Sequence, residues 1–424
     1  MKKHIKLFVL LGILLVGSFS FYLFKGFKKD NMVYKDNKIK PSSSGISMMF
    51  ETEAGSGNYE MTTQSEWPTE GYVFNVNLSK CENGSELSWD NENKKVLMSG
   101  NKSDKCYVYF DVYVKPQVLL ANYVKSLYVS NKGENGIYYH DASLTNGAGD
   151  NSYRFAGASD AVNNYVCFGS TTTPCPTDNL YRIIGVFGDK VKLIKSDYAT
   201  TALLGADGDY SKMYTANNWD NSAYKGNNLA NVAAYNWNKS NQNTWSLSNL
   251  NKTNLNKNFI TNIGADWAAK IADTTWKVGG NTWANIGTQP AKTAYQNEIV
   301  NPVTTNSQDN ATELKSKIGL MYVSDYMYAA PQDKWTLVGY NSSDASKDYR
   351  AATSVNWMYM GLYEWTISRY ADFLDIAFDV GNTGDVDIND VGNRAYGVRP
   401  VFYLSSSVNY ASGSGTAADP ILVN

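Results

Sequence analysis

Apolar and polar positions alternate in short runs from Ile46 onward (ISMMFETEAG, GYVFNVNLSKC, SELSWD, KKVLMSG, KCYVYFDVYV), with turn residues between them. A period of two predicts a small antiparallel β-unit of five or six strands, sandwich-like, over 45–115. Trp67, Trp89 and Tyr107 are its expected core. The period then lengthens. In QVLLANYVKSLY, Leu119, Leu120, Tyr123, Val124 and Leu127 share one helical face, which predicts a linker helix within 116–130.

The remainder, 131–424, mixes both periods. LYRIIGVFGDKVKLIKSDY predicts a hairpin with strands at 183–187 and 191–195 about Gly188-Asp189. SLSNLNKTNLNKNFITNIG predicts a helix with Ser246 or Ser248 as N-cap and Gly264 past its end. ADWAAKIADTTW continues as helix or turn. IGLMYVSDYMYA, 398–404 (VRPVFYL) and the tail of SGSGTAADPILVN each predict a strand. The Asn- and Trp-rich stretch 210–245 has no clear period and is expected at the surface, carrying recognition. The expected class is therefore α+β.

One longer apolar run precedes all of this. Residues 7–24, LFVLLGILLVGSFSFYLF, lie between lysine clusters and as a helix would span about 27 Å, close to the hydrocarbon core of a bilayer. They predict an N-terminal signal-anchor within 1–29, with the lipid bilayer as partner, a polar spacer over 30–44 and the later domains outside the cell. The alternative is a cleavable signal peptide with its site at Val16-Gly17-Ser18.

At 424 residues the chain exceeds one comfortable core, and 43% hydrophobic with 13% aromatic residues excludes wholesale disorder. The formal charge of −2 hides an asymmetry, because six lysines and no acid fall within residues 1–29. The rest is acidic, which argues against a nucleic-acid partner. The four cysteines form two local pairs downstream of an export-type segment. Cys81–Cys106 and Cys167–Cys175 are the expected disulfides, since CxxC spacing and nearby histidines, as a zinc site needs, are lacking.

The densest aromatic stretch, NWMYMGLYEWTIS, and the GVRPVFYL segment carry a resemblance. The chain resembles a bacterial domain of unknown function common in exported proteins of gut Firmicutes and their wall-less relatives. It does so through the hairpin 181–194, the W-x-x-x-G-x-Y-E-W-T run 357–366, GVRPVFYL at 397–404 and a G-x-G-x-x-x-x-P tail at 413–420. The segment WPTEGYVFNVNLSKCENGSELSWD with DKCYVYF is similar to a recurrent partner of that domain. More distantly the large domain is similar to formylglycine-generating-enzyme and C-type-lectin-like folds. The copper-binding cysteines of the one and the calcium motif of the other have no counterpart here. The resemblance thus implies a scaffold rather than chemistry.

Candidate chemistry is sparse. His140 is the sole histidine beyond the membrane flank, and no G-x-S-x-G surrounds a serine, so histidine-dependent catalysis is not expected. Asp385, Asp387 and Asp390 suggest a calcium loop, but Asp390 and Tyr396 occupy the positions where an EF-hand needs Gly and Glu. Alternation with Val386 and Ile388 predicts a strand instead. Glu364 and Arg399 lie in apolar runs, which predicts a structural ion pair. Paired with an Asp, Glu364 would otherwise suit an envelope glycoside hydrolase.

Trp335, Trp357, Tyr359, Tyr363 and Trp365 are the rings a glycan site would use. No cofactor or metal is expected. The expected role is a non-catalytic surface module binding glycan or protein, or else a structural surface protein without a specific ligand.

Overall fold

The computed structural model describes residues 45–424 apart from 63, 65, 102, 115, 215–222 and 303–310. The expected membrane segment 7–24 and spacer 30–44 lie outside the described residues. Among those described, no helix is long and apolar enough to cross a membrane. Two compact units divide between Pro116 and Gln117. The α+β expectation is overturned: the protein is mostly β, with 31% strand against 19% helix. Of the helices that a 3.6 period suggested, Leu120–Ser126 has 7 residues and Leu250–Phe259 has 10.

In the smaller unit, strand Ile46–Glu51 lies between Tyr59–Met61 and Cys106–Val112, with Tyr72–Phe74 and Lys80–Cys81 also pairing to Cys106–Val112. Ile46–Glu51 and Cys106–Val112 run parallel, so the unit is not wholly antiparallel as expected. A separate hairpin joins Glu86–Asp90 to Lys95–Ser99. Alternation along Cys106–Val112 turns Val108 and Phe110 inward, where Met48 and Val96 complete a small core. Phe50, Trp67, Phe74 and Trp89 pack around Phe110. Tyr107 falls on the opposite parity and is exposed, against expectation. Cys81 and Cys106 are directly opposed in the sheet and bonded.

The larger unit holds a ten-stranded and a seven-stranded sheet among its described residues. The expected hairpin is present as Leu180–Phe187 and Lys190–Lys195, with Phe187 opposite Lys190 about the Gly188-Asp189 turn. Of the predicted strand 398–404 only Val401–Tyr403 forms, preceded by a separate strand, Tyr396–Gly397. Tyr396–Gly397 belongs to the seven-stranded sheet and Val401–Tyr403 to the ten-stranded one, so the chain changes sheets across Val398-Arg399-Pro400. Proline has no N–H to give to a ladder, which suits a crossing rather than a strand interior.

Two more readings change. Val118–Leu119 pairs with Asn409–Ser412, and the helix Leu120–Ser126 buries Leu120, Ala121 and Val124 in the core of the larger unit; it is no free linker. The strand expected at 318–329 becomes Ile318–Gly319 followed by a helix, Val323–Tyr328. Asp325 accepts the Tyr322 N–H at 3.0 Å and starts that helix. Every residue of the helix is buried, so no polar face marked its period in the sequence. Leu250–Phe259 is helical as predicted but wound as a π-helix. Ser248 Oγ accepts the N–H of Asn251 at 3.2 Å near its start, and Gly264 follows its end at φ +86°.

Candidate functional site

The aromatic stretch that dominated the sequence lies inside the protein. Trp335, Trp357, Tyr359 and Trp365 are all buried, and Tyr363 is half-buried against Tyr396, with ring centroids 4.9 Å apart. Their polar ends are used internally. The indole N–H groups of Trp335, Trp357 and Trp365 donate to the carbonyls of Ala330, Phe155 and Tyr235, and Tyr359 Oη donates to the Asn382 carbonyl. The four buried rings offer no stacking face to a sugar. Within the described part of the Asn/Trp stretch, residues 232–238 are buried, and Trp237 and Trp245 are fully so. Its asparagines tie backbone together: Asn243 Nδ2 donates to the carbonyls of Tyr370, Phe373 and Ile376 at 2.7–2.8 Å.

Glu364 and Arg399 form the expected pair. Arg399 Nε and Nη2 each donate to the carboxylate at 2.8 Å, and Nη2 also donates to the Met358 carbonyl. Burial opposes both charges. It pushes the Glu364 carboxyl up, partly countered by Arg399, while Glu364 holds the guanidinium above its ordinary value. The bidentate geometry is that of an ionised pair. Glu364 is 2% exposed, so it has no open cleft in which to act as acid or base. His140 is fully buried between Tyr328 and Trp335, accepts the Ala148 N–H on Nδ1, and is held neutral by burial and by Arg154. Asp387 and Asp390 lie on the predicted strand, Val386–Asp390. Among the described residues no group of three or more His, Cys, Asp or Glu is placed to hold a metal ion.

One open feature of the larger unit is a groove of about 640 Å³. Its walls come from Leu127, from residues of the turn about Asn135 and Gly136 with Tyr138, from Ala156-Gly157-Ala158 and Ala161-Val162-Asn163, and from Pro331 and Ser414; none of these lining residues is charged. Its shape is fixed by local backbone. Asn135 and Gly136 both have positive φ, and a Cβ on Gly136 would come within 2.9 Å of the Val162 side chain. Asn135 Nδ2 donates to the Leu127 carbonyl at 2.8 Å, and the Ala156 N–H donates to Gly136.

Two residues expected to touch ligand adjoin the groove's lining instead. The Trp357 backbone N–H donates to the Gly157 carbonyl at 2.9 Å, and the Trp335 ring packs edge-on against Tyr138 with centroids 5.2 Å apart. Sequence reasoning missed Arg182. Its buried guanidinium lies over the Trp357 ring at 4.7 Å and donates to Ser159 Oγ, the Ser159 and Val162 carbonyls and Asn164 Oδ1. Burial lowers its pKa to about 10, with Tyr165 opposing and Arg399 adding to the fall. The signal was present: a lone arginine within the apolar run LYRIIGVF must find acceptors when buried.

Against known proteins, no family model, curated protein or solved structure matches the chain.

Proposed function

We propose that this protein is an extracellular, non-catalytic recognition module whose larger unit binds a neutral glycan in the groove between Gly133 and Ser414. The observation that carries this reading is the lining. At about 640 Å³ the groove has the size of a ligand site, and its polar groups are the amides of Asn135 and Asn163, the hydroxyls of Tyr138 and Ser414, and backbone. Such a wall exchanges hydrogen bonds with hydroxyls but supplies no acid–base pair for hydrolysis. The two disulfides fit an oxidising location outside the cell.

The test is saturable binding of the oxidised protein to a glycan array, with extended uncharged peptides as the competing ligand class. Ala161 is exposed on the groove wall, so Ala161→Trp fills the groove without entering the core. Loss of glycan binding by that variant, with an unchanged melting profile, supports the reading. Peptide binding alone, or glycan binding indifferent to Ala161→Trp, overturns it.

A further inference from the structure

We propose that a second ligand site lies at Lys195, built to take two adjacent hydroxyls of a neutral polyol. Lys195 ends the strand Lys190–Lys195 and is 1% exposed, yet its ammonium has no hydrogen-bond or ion-pair partner among the described residues. It opens onto a pocket of about 60 Å³, separate in its lining from the groove, bordered by Asp178, Asp197, Asn227, Asn228 and Asn231. The ammonium is not sealed in the core; it faces the pocket, whose contents must supply its acceptors.

The two carboxylates differ. Asp197 is already engaged by the N–H groups of Tyr198 and Asn227 and by Tyr224 Oη, at 2.7–3.0 Å. Asp178 lines the same pocket without a side-chain partner among the described residues, and it does not close on Lys195 as an ion pair. Lys195 Nζ and the Asp178 carboxylate thus line the pocket as an uncommitted donor and an uncommitted acceptor that form no ion pair with each other. An anion would satisfy Lys195 but would meet both carboxylates. A hydroxyl pair fits better, one oxygen accepting from Lys195 and the other donating to Asp178. Room for about two water-sized groups matches that pair and leaves the rest of the ligand outside, toward the three asparagines. Burial lowers the Lys195 pKa, Asp178 and Asp197 oppose this, and Arg399 adds to the fall, in keeping with an ammonium short of acceptors.

The surrounding fold fixes both ends. The Lys195 N–H donates to the Pro400 carbonyl at 3.1 Å and the Ala199 N–H to Val398, so the sheet-crossing segment braces the lysine. Asp178 sits in the short turn Thr177–Asn179, just after the Cys167–Cys175 bridge, and that turn is tied back where the Phe168 N–H donates to the Asn179 carbonyl.

Saturation-transfer NMR and titration of the oxidised full-length protein with mannitol, methyl mannoside and methyl galactoside, and calorimetric titration with sodium sulfate as the anion control, test this. Saturable binding of at least one polyol is expected, weakened about tenfold or more by Lys195→Met and by Asp178→Ala but untouched by Ala161→Trp. Asp178 is exposed, so Asp178→Ala keeps the test valid if Lys195→Met does not fold. Absence of saturable polyol binding, binding equal in Asp178→Ala, or sulfate binding tighter than any polyol overturns the proposal. Because Ala161→Trp blocks the groove alone, failure of the groove reading leaves this outcome distinct.

Discussion

The two units each carry one disulfide but use it differently. In the smaller unit four buried residues, Met48, Val96, Val108 and Phe110, form the core cluster among the described residues, and Cys81–Cys106 closes the sheet beside it. In the larger unit the main apolar cluster draws on residues from Leu120 to Val423, with a second, smaller cluster about Tyr198 and Leu362, and Cys167–Cys175 closes a short surface loop. A cross-link of the same chemistry thus supports a fold in one place and shapes a turn in the other. Stability per residue comes from burial where there is enough of it and from covalent closure where there is not.

The sharpest contrast comes from the charge pair at the heart of the larger unit. Glu364→Ala leaves Arg399 buried and unpaired and should cost about 3–5 kcal/mol. Two-transition urea melts should place the whole loss in the larger unit, with the smaller unit's midpoint unmoved. Next, Cys81→Ser with Cys106→Ser releases a loop of 25 residues, a loss of about 3.5 kcal/mol in the chain-entropy model. Set against so small a core, this should abolish the smaller unit's cooperative transition in fluorescence of Trp67 and Trp89. Cys167→Ser with Cys175→Ser closes only 8 residues and should cost about 2.5 kcal/mol, a lesser fraction of a larger total. Its measurable signature is weaker polyol binding at Lys195, because the Asp178 turn loosens.

The smallest effect is a pH slope confined to the larger unit. Asp379 is fully buried directly opposite Asp387 across the sheet, with Oδ2 unpartnered. Burial holds its carboxyl well above the ordinary value, and Asp387 and Asp385 add to this while Asn389 opposes it. The folded state thus keeps the proton longer than the unfolded one. Its contribution is full below about pH 4, the unfolded value, and is lost as pH rises through the folded pKa. Asp379→Asn mimics the protonated form, so its urea midpoint should fall less than the wild type's between acid and neutral pH. An unchanged slope would mean that Asp379 is ionised in the fold.

Much of this was legible in local chemistry. Glu364 and Arg399 had to meet because neither charge survives alone in an apolar run, and the cysteines had to pair locally. Gly188-Asp189 specified its hairpin, and the acids about Val386 and Ile388 specified a strand. Burial was not legible. Trp335, Trp357 and Trp365 have the same composition as a sugar-binding face, and only the satisfaction of their N–H groups by Ala330, Phe155 and Tyr235 distinguishes core from surface. The asparagines misled for the same reason: Asn243 makes three backbone contacts that no periodicity announces. The groove was beyond reach because its walls come from segments as far apart as Leu127 and Ser414, with glycine and alanine as their signature.

The order of strands has a consequence for how the larger unit is made. Asn409–Ser412 lies between Val118–Leu119 on one side and Ile421–Val423 on the other, and Ile421–Val423 runs parallel to Tyr165–Cys167. The first and last strands of the unit therefore meet on one neighbour, and the ten-stranded sheet stays open until the last of them emerges. Such pairings close long loops, which makes folding slow. The same adjacency means that joining those two strands and cutting elsewhere should give a permuted protein that still folds.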